Sequence, residues 1–345
     1  MKGMKPLEVD GSAMIIEKGE FELIDWLKGK FDAKPLEMVK GIGDDAAVFS
    51  FSSDKATLIT TDLLIEGVHF KRDEIAFPHL GWRSLAANLS DIAAMGGEPK
   101  YAFISIASPT KNIEELKRFF LSFSDLAQKN SIYLAGGDLS FSLKDFFVSI
   151  TVIGFADKDA LLYRKGAKAG DKIFVTGTLG NARAGLHILE IKKEVTPELF
   201  PLVETFIRPI PHIKEGKTIA KTSLATSMID ISDGFAQDLG HILEESQKGC
   251  IIFQDKLPVS KELINFCKSE RISYLDFALS GGEDYRLIFT VPKEKANDIK
   301  KIYLNEIGNS IFEVGEITAE KGFFLIDLNG KKRELTPKGW DHFKR

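Results

Sequence analysis

Four short motifs place aspartate at the end of an apolar or β-branched run, and this repeated pattern constrains the fold most. The motifs are GIGDDAAV at 41–48, TTD at 60–62, GGD at 136–138 and DISDG at 230–234. Glycine beside the acids lets the backbone turn tightly and lets a ligand approach closely. One such motif is equally well explained as a solvated turn. Repeated aspartates at strand ends, without matching histidines or cysteines, favour a site for hard cations such as Mg²⁺.

The composition is that of a globular protein with no nucleic-acid or membrane partner. The 345 residues are 44% apolar and 28% charged, and the net charge of −4 argues against a polyanion held by bulk charge. No apolar run approaches the ~18 residues of a membrane span, and no signal peptide is evident. Cys250 and Cys267 form no CxxC pair and are expected to be reduced thiols. These features predict a cytoplasmic protein.

Strands and helices alternate through both halves of the sequence, which predicts an α/β (α+β) fold. A chain of this length is expected to form about two domains, and the polar, glycine-containing run at 156–171 is the natural boundary. We expect an N-terminal tail over 1–19 and a first domain over 20–158 that begins with a short amphipathic helix. A C-terminal α/β domain is expected over 159–345.

A helix predicted over 79–95 carries short polar side chains on one face. Ser84, Asn88 and Asp91 lie three and four residues apart, as neighbours on a helix surface do. A solvated stripe is the ordinary interpretation of such a face. Lys and Glu are absent between Arg83 and Gly97, however, so the face is more typical of the wall of a site.

The familiar phosphate-binding loops are not predicted. In PHIKEGKT at 211–218, the position of the first Walker A glycine is occupied by Pro211. The GIGDDA segment lacks the last glycine of a dinucleotide-binding fingerprint. At DISDG, Ser232 or Asp233 is either a helix N-cap or a ligand for metal and phosphate, and the sequence leaves both open.

If the aspartates of these motifs converge, their mutual repulsion requires cations. Several Mg²⁺ ions would need anionic co-ligands, most naturally the phosphates of a nucleotide. Metal ions on phosphate oxygens suit phosphoryl transfer, in which positioning and charge neutralisation supply most of the catalysis. The candidates are Asp45, Asp62, Asp91, Asp138, Asp230 and Asp233.

Six motifs in this order resemble the thiamine-monophosphate kinase family: GIGDDAAV, TTDLLIEGVHF, NLSDIAAMG, GGDLS, IDISDG and LSGGEDY. That family belongs to a superfamily with aminoimidazole ribonucleotide synthetase, selenophosphate synthetase and a hydrogenase-maturation protein. The resemblance implies a two-domain aminoimidazole ribonucleotide synthetase-like fold and a homodimer paired through the N-terminal domains. It also implies ATP-dependent phosphorylation of thiamine monophosphate to thiamine diphosphate, assisted by several Mg²⁺ ions.

The resemblance also implies roles for individual residues. Asp62, Asp91 and Asp138 would be catalytic. Contacts to ATP would come from Gly137, Asp138, Arg164 and Ser232, and contacts to the thiamine substrate from His69, Glu283 and Trp340. A carboxylate and an aromatic face suit the cationic thiazolium of thiamine. Phe119 and Phe120 stand where the family often has a tyrosine that contacts the nucleotide, so the adenine contact is not assigned. The implied Mg²⁺ ligands are Asp45, Thr60, Thr61, Asp62, Asp91, Asp138, Asp230 and Asp233.

Two alternatives remain open. The first is another ATP-dependent enzyme of the same superfamily. Selenophosphate synthetase would be expected to show a reactive cysteine near its N-terminus, whereas both cysteines here lie beyond residue 249. Aminoimidazole ribonucleotide synthetase lacks the HF and SGGEDY contexts. The second is a non-catalytic scaffold, which would bind Mg-ATP tightly without turnover.

Overall fold

The computed structural model describes residues 24, 35–72, 74–110, 112–336 and 339 of the chain. The tail expected over 1–19 lies outside these residues. So does the helix expected over 20–29, apart from Ile24, which is helical. The described residues between 35 and 339 form one compact unit, in which each half of the sequence builds its own β-sheet.

The first sheet has the strand order β1-β2-β3-β6-β4-β5, and its neighbouring strands are antiparallel except for the parallel pair β4 and β5. Its strands are β1 (Met38–Lys40), β2 (Ala47–Phe49), β3 (Lys55–Ile65), β4 (Glu98–Ser108), β5 (Tyr133–Phe141) and β6 (Phe147–Asp157).

One face of this sheet is covered by α1 (Phe77–Ala94) and α2 (Ile113–Lys129). Phe119 of α2 is fully buried against this face. Strand β3 alternates between buried Leu58 and Thr60 and exposed Thr61 and Leu63, as a period of two residues requires. The opposite face of the sheet is therefore open in the described chain.

The second sheet has the strand order β13-β12-β9-β11-β7-β10-β8, in which only β12 and β9 are parallel neighbours. Its strands are β7 (Lys172–Val175), β8 (Ser227–Asp230), β9 (Gly249–Phe253), β10 (Leu287–Val291), β11 (Phe312–Thr318), β12 (Phe323–Ile326) and β13 (Lys332–Glu334). The helices of this half are α3 (Asn181–Glu190), α4 (Phe200–Ile207), α5 (Ile213–Lys221), α6 (Phe235–Ser246), α7 (Lys261–Glu270), α8 (Tyr274–Ser280) and α9 (Ala296–Ile307).

Helix α1 joins the two halves. At its C-terminal end, Ala93 and Ala94 belong to an apolar cluster that also contains Ile219 of α5 and Phe289 of β10. Helix α5 approaches closely because Gly216 has no side chain, since a Cβ there would lie 2.1 Å from the carbonyl oxygen of Ala93. The polar face of α1 is thereby fixed against the second half.

The α/β (α+β) class predicted from the sequence is confirmed, and each half of the sequence builds its own sheet, as the predicted two-domain fold requires. The boundary between residues 158 and 159 stays a prediction. Within the described residues, no helix has both the length and the apolar character that crossing a membrane requires.

Candidate active site

Three carboxylates from distant parts of the sequence meet where the two halves join. Asp45 lies in the turn before β2, Asp91 lies on α1, and Asp230 ends β8. Each offers one oxygen, and these oxygens lie within 4.8 Å of one another. The three residues define what we call the carboxylate cluster.

Neighbouring side chains hold each carboxylate of the cluster in place. The Ser90 hydroxyl donates to Oδ2 of Asp230 at 2.7 Å, and the Thr60 hydroxyl donates to Oδ2 of Asp91 at 2.5 Å. Arg164 donates to Oδ1 of Asp45 from Nη2 at 2.6 Å and from Nε at 3.2 Å. The other oxygen of Asp45, Oδ2, is buried and has no partner in the described chain.

Burial and mutual repulsion make these acids hard to ionise without a cation. Burial raises the pKa of Asp45 to about 7, even though the Arg164 guanidinium lowers it. Burial likewise raises the pKa of Asp62 and of Asp230 to about 6. The pKa of Asp91 lies well above its usual range because of burial and the charges of Asp62, Asp230 and Asp45. A bound cation would stabilise the ionised carboxylates and so lower their pKa values.

The donor set fits Mg²⁺. All the candidate ligands that converge here are carboxylate or hydroxyl oxygens, which hard cations prefer to nitrogen and sulfur. The unpartnered buried oxygen of Asp45 is the kind of group that a cation satisfies. Asp62 faces the same side of β3 as Thr60, and its charge acts on both Asp91 and Asp230.

Two of the implied metal ligands lie on the opposite, open face of the first sheet. The exposed Thr61 hydroxyl accepts a hydrogen bond from Thr151 at 3.1 Å. Asp138 is exposed on the edge strand β5 and accepts from Ser140 at 2.9 Å. The register aligns Asp138 with exposed positions across the sheet, and about three strand spacings, roughly 14 Å, separate it from β3. One chain does not bring Asp138 to the carboxylate cluster.

Gly137 is required by the strand pairing. A Cβ at this position would lie 1.8 Å from the carbonyl oxygen of Ile104 on β4. The backbone of the GGD motif therefore packs directly against its neighbour, and no side chain fits between the two strands.

The DISDG loop is fixed by an acid that the sequence analysis did not single out. Asp238, in the first turn of α6, accepts from the backbone N–H groups of Ser232, Asp233 and Gly234 at 3.1, 3.2 and 2.9 Å. The helix N-cap is Gly234 and uses no side chain, so the N-cap interpretation of Ser232 or Asp233 is wrong. An acid in the first helical turn after a glycine was the available signal.

The SGGEDY loop packs against the DISDG loop through its backbone. The N–H of Glu283 donates to the carbonyl of Ser232 at 2.8 Å, and that of Tyr285 donates to Ile231 at 2.9 Å. Glu283 and Tyr285 have φ angles of 64° and 48°, a conformation that costs energy for residues other than glycine. Buried Asp284 accepts from the N–H groups of Gly180 and Ala182 near the start of α3.

Of the three residues expected to contact the thiamine substrate, two have hydrogen-bond or ion-pair partners in the described chain and one lies outside it. His69 follows β3 and accepts at Nδ1 from the N–H of Ile65 at 2.9 Å. Glu283 forms an ion pair with Arg83 of α1. Trp340 lies outside the described residues, but the preceding Gly339 lies against Gln237 of α6.

Both parts of the chain match one family of known proteins. Residues 43–156 match the family described as AIR synthase related protein, N-terminal domain, and residues 168–327 match its C-terminal domain. The chain is 39% identical to a thiamine-monophosphate kinase of Buchnera aphidicola subsp. Acyrthosiphon pisum, covering 94% of this chain and 98% of that protein. It is 37% identical to a thiamine-monophosphate kinase of Aquifex aeolicus, covering 95% and 99%.

The fold is also similar to solved structures. One is described as AaThiL complexed with AMPPCP and TMP, and it aligns with a TM-score of 0.82 at 34% identity. The alignment covers 99% of this chain and 100% of that chain.

Proposed function

This chain belongs to the thiamine-monophosphate kinase family, and we propose that it transfers the γ-phosphoryl group of ATP directly to thiamine monophosphate. The observation that carries this proposal is the carboxylate cluster of Asp45, Asp91 and Asp230, assembled from both halves of the molecule. Thiamine diphosphate and ADP are the products. The relatives are named for the same substrate, and a similar structure binds AMPPCP, an ATP analogue, together with TMP.

Several Mg²⁺ ions, when bound, would neutralise the phosphate oxygens and so lower the barrier to transfer. The residues that fit them by position are Asp45, Thr60, Asp62, Asp91 and Asp230. Asp233 lies close enough to raise the pKa of Asp230 and is a further candidate. We keep Thr61 and Asp138 as ligands implied by the family resemblance, reached from the open face of the sheet.

Transfer is in line and uses no phosphorylated protein. An oxygen of the acceptor phosphate forms a new bond to the γ-phosphorus, and the bond to the β-phosphate oxygen breaks as ADP leaves. Arg164 places a guanidinium beside the cluster, where it compensates nucleotide phosphates, and Gly137, Asp138 and Ser232 complete the proposed nucleotide contacts. His69, Glu283 and Trp340 are the proposed contacts to the acceptor.

We further propose that the protein works as a homodimer. The open face of the first sheet exposes Tyr101 and Phe103 of β4 and Tyr133 of β5. An apolar face beside an unpaired edge strand is a typical association surface. Pairing two copies through this face would enclose Asp138. Tyr133→Glu is expected to yield monomers in sedimentation analysis, whereas Leu304→Glu on the exposed surface of α9 is the control.

Product formation separates the kinase from the scaffold alternative. Purified protein is incubated with Mg-ATP and thiamine monophosphate, and thiamine diphosphate and ADP are measured. The kinase predicts equal amounts of both products, none after chelation of Mg²⁺. Tight Mg-ATP binding without thiamine diphosphate would identify a scaffold, and turnover only with another acceptor would identify another enzyme of the superfamily. The cytoplasmic location stays a prediction.

A further inference from the structure

Arg83 is a buried cation that the proposed chemistry does not use. Its side chain on α1 is only 2% exposed, and its Nη2 donates to Oε1 of Glu283, 200 residues away in the other half. The guanidinium carbon lies 4.0 Å from the centroid of the Phe206 ring, so the group is stacked as well as paired. Nε and Nη1 are buried without a hydrogen-bond partner in the part of the chain that the structure describes.

The ion pair with Arg83 fixes the side chain of Glu283. The backbone of Glu283 is already held in a left-handed conformation by its hydrogen bond to Ser232. Gly282 permits this approach, because a Cβ there would lie 2.3 Å from the Ser232 carbonyl oxygen. The Glu283 side chain nevertheless remains 27% exposed, and no described residue donates to its Oε2. That oxygen is therefore available to a ligand.

Charge compensation decides what the available oxygen can recognise. An isolated carboxylate attracts the cationic thiazolium of thiamine, which was the expectation from the sequence. Here Arg83 already balances the charge of Glu283, so the net attraction for a second cation is small. The lone pairs of Oε2 remain, and a neutral N–H donor satisfies them well. The exocyclic amine of the aminopyrimidine ring is such a donor.

We propose that Arg83 is a positioning residue for the acceptor, which orients Glu283 so that its Oε2 accepts a hydrogen bond from the aminopyrimidine amine. This assignment rests on the proposed function and specifies which part of thiamine monophosphate Glu283 recognises. Arg83 itself touches neither substrate. Its buried guanidinium sets the geometry of the carboxylate, and Phe206 sets the plane of the guanidinium.

The first test separates positioning from folding. Arg83→Met keeps the stacking volume on Phe206 and removes both the charge and the fork of donors. We expect the KM for thiamine monophosphate to rise about tenfold, as for the loss of one buried hydrogen bond, while the KM for ATP changes less than twofold. The melting temperature stays near that of wild type, because the variant leaves no buried cation unpaired and Glu283 is partly solvated. Arg83→Lys keeps the charge without the fork and gives a smaller effect.

Arg208 offers a matched control. Its guanidinium also stacks on an aromatic ring, 4.7 Å from the centroid of Trp82, but it makes no contact with Glu283. Arg208→Met should leave both KM values unchanged.

A double-mutant cycle tests whether Arg83 acts through Glu283. If it does, Arg83→Met combined with Glu283→Gln raises the KM for thiamine monophosphate no further than Glu283→Gln alone.

The second test uses oxythiamine monophosphate, in which a carbonyl oxygen replaces the amine. The kcat/KM of wild type should be at least tenfold lower for this analogue than for thiamine monophosphate. The reason is that two hydrogen-bond acceptors, the analogue's carbonyl oxygen and Oε2 of Glu283, would face each other. Glu283→Gln supplies an amide N–H that can donate to the carbonyl, so the preference should narrow to less than threefold or invert. Arg83→Met should also narrow it.

Each contrary outcome is distinct. A wild-type protein that forms no thiamine diphosphate overturns the proposed function, and this assignment with it. An active wild type whose Arg83→Met variant melts markedly lower and keeps its acceptor KM shows that Arg83 only holds the fold. An active wild type that accepts the amine and carbonyl forms equally shows that Glu283 does not recognise the amine.

Discussion

Ser90 of α1 donates its hydroxyl hydrogen to Oδ2 of Asp230 at 2.7 Å, across the junction of the two halves. Both residues are buried, and Ser90 directly precedes Asp91 of the carboxylate cluster. The hydrogen bond therefore fixes the helix that carries one ligand relative to the strand that carries another. Removing either partner alters the spacing of the cluster as well as its stability.

Ser90→Ala tests this link. The variant leaves a buried oxygen of Asp230 without its donor, which costs about 1–3 kcal/mol of stability. We expect the metal-free melting temperature to fall by several degrees and the Mg²⁺ concentration for half-maximal activity to rise severalfold. Ser84→Ala is the control, because buried Ser84 bonds only the carbonyl of Gly81 in its own helix, at 3.3 Å. Equal effects of the two variants would contradict a role for Ser90 in the site.

Asp91→Asn tests the repulsion within the cluster. The folded-state pKa values of Asp62 and Asp230, about 6, and of Asp45, about 7, exceed the unfolded value of roughly 3.9. Between the unfolded and folded pKa values the folded state binds more protons, so these groups favour folding most below about pH 4 and lose that contribution as pH rises from about 4 to about 7. Without metal, Asp91→Asn should melt higher than wild type, and by more at pH 8 than at pH 5.

Thermal melts in EDTA and in Mg²⁺ at these two pH values measure the effect. Magnesium should stabilise wild type more at pH 8 than at pH 5 and should stabilise Asp91→Asn least. A variant that melts below wild type at pH 8 in EDTA would show that Asp91 does not experience net repulsion.

Asp238→Ala tests the anchor of the DISDG loop. The change removes the acceptor for three backbone N–H groups, so Asp230 and Asp233 lose their fixed support. We expect at least a tenfold loss of kcat together with a lower melting temperature. Burial raises the pKa of Asp238 well above its usual range, so Asp238→Asn resembles the protonated acid and should retain most activity. Asp298→Ala, an exposed acid in the first turn of α9, is the control and should leave both measurements unchanged.

Asp62→Asn and Asp138→Asn test the two faces of the first sheet. Each variant keeps the side-chain shape and removes one charge, and we expect turnover to fall on the order of 10²-fold, as when a transition-state charge stabiliser is lost. Excess Mg²⁺ or Mn²⁺ should partly restore Asp62→Asn. Because Asp138 lies on the open face proposed for dimer pairing, the oligomeric state of its variant is measured by sedimentation alongside turnover. If turnover is unchanged in both variants, Asp62 and Asp138 have only a structural role in capping or turning the chain.

Much of the site follows from local sequence. Of the small polar face of α1, Asp91 lies in the carboxylate cluster, whereas buried Ser84 and Asn88 hydrogen-bond within their own helix. The resemblance implied Thr60, Thr61 and Asp62 together as metal ligands, whereas the strand period of two residues puts Thr60 and Asp62 on one face and Thr61 on the other. The oxygen-rich donor set and the expectation of a hard cation came from residue types alone.

The remaining features depend on contacts that no local pattern encodes. The Arg83–Glu283 pair joins residues 200 positions apart, so only the packing of the two halves creates it. The face on which Asp138 lies depends on a register shift between β4 and β5. Of the two alternatives left open for Ser232 or Asp233, the N-cap is wrong, because Asp238 accepts from the backbone N–H groups of that loop instead.

The central claim is that Asp45, Asp91 and Asp230 hold divalent cations for phosphoryl transfer. The most direct test of this claim is to count the manganese ions that the protein binds. Wild type and Asp91→Asn are titrated with Mn²⁺ in the presence of AMPPCP and thiamine monophosphate, and free Mn²⁺ is followed by electron paramagnetic resonance. We predict that wild type binds at least two ions per chain and that Asp91→Asn loses at least one, although its metal-free melting temperature is no lower than that of wild type. The same number of ions, bound with the same affinity by both proteins, would contradict the claim.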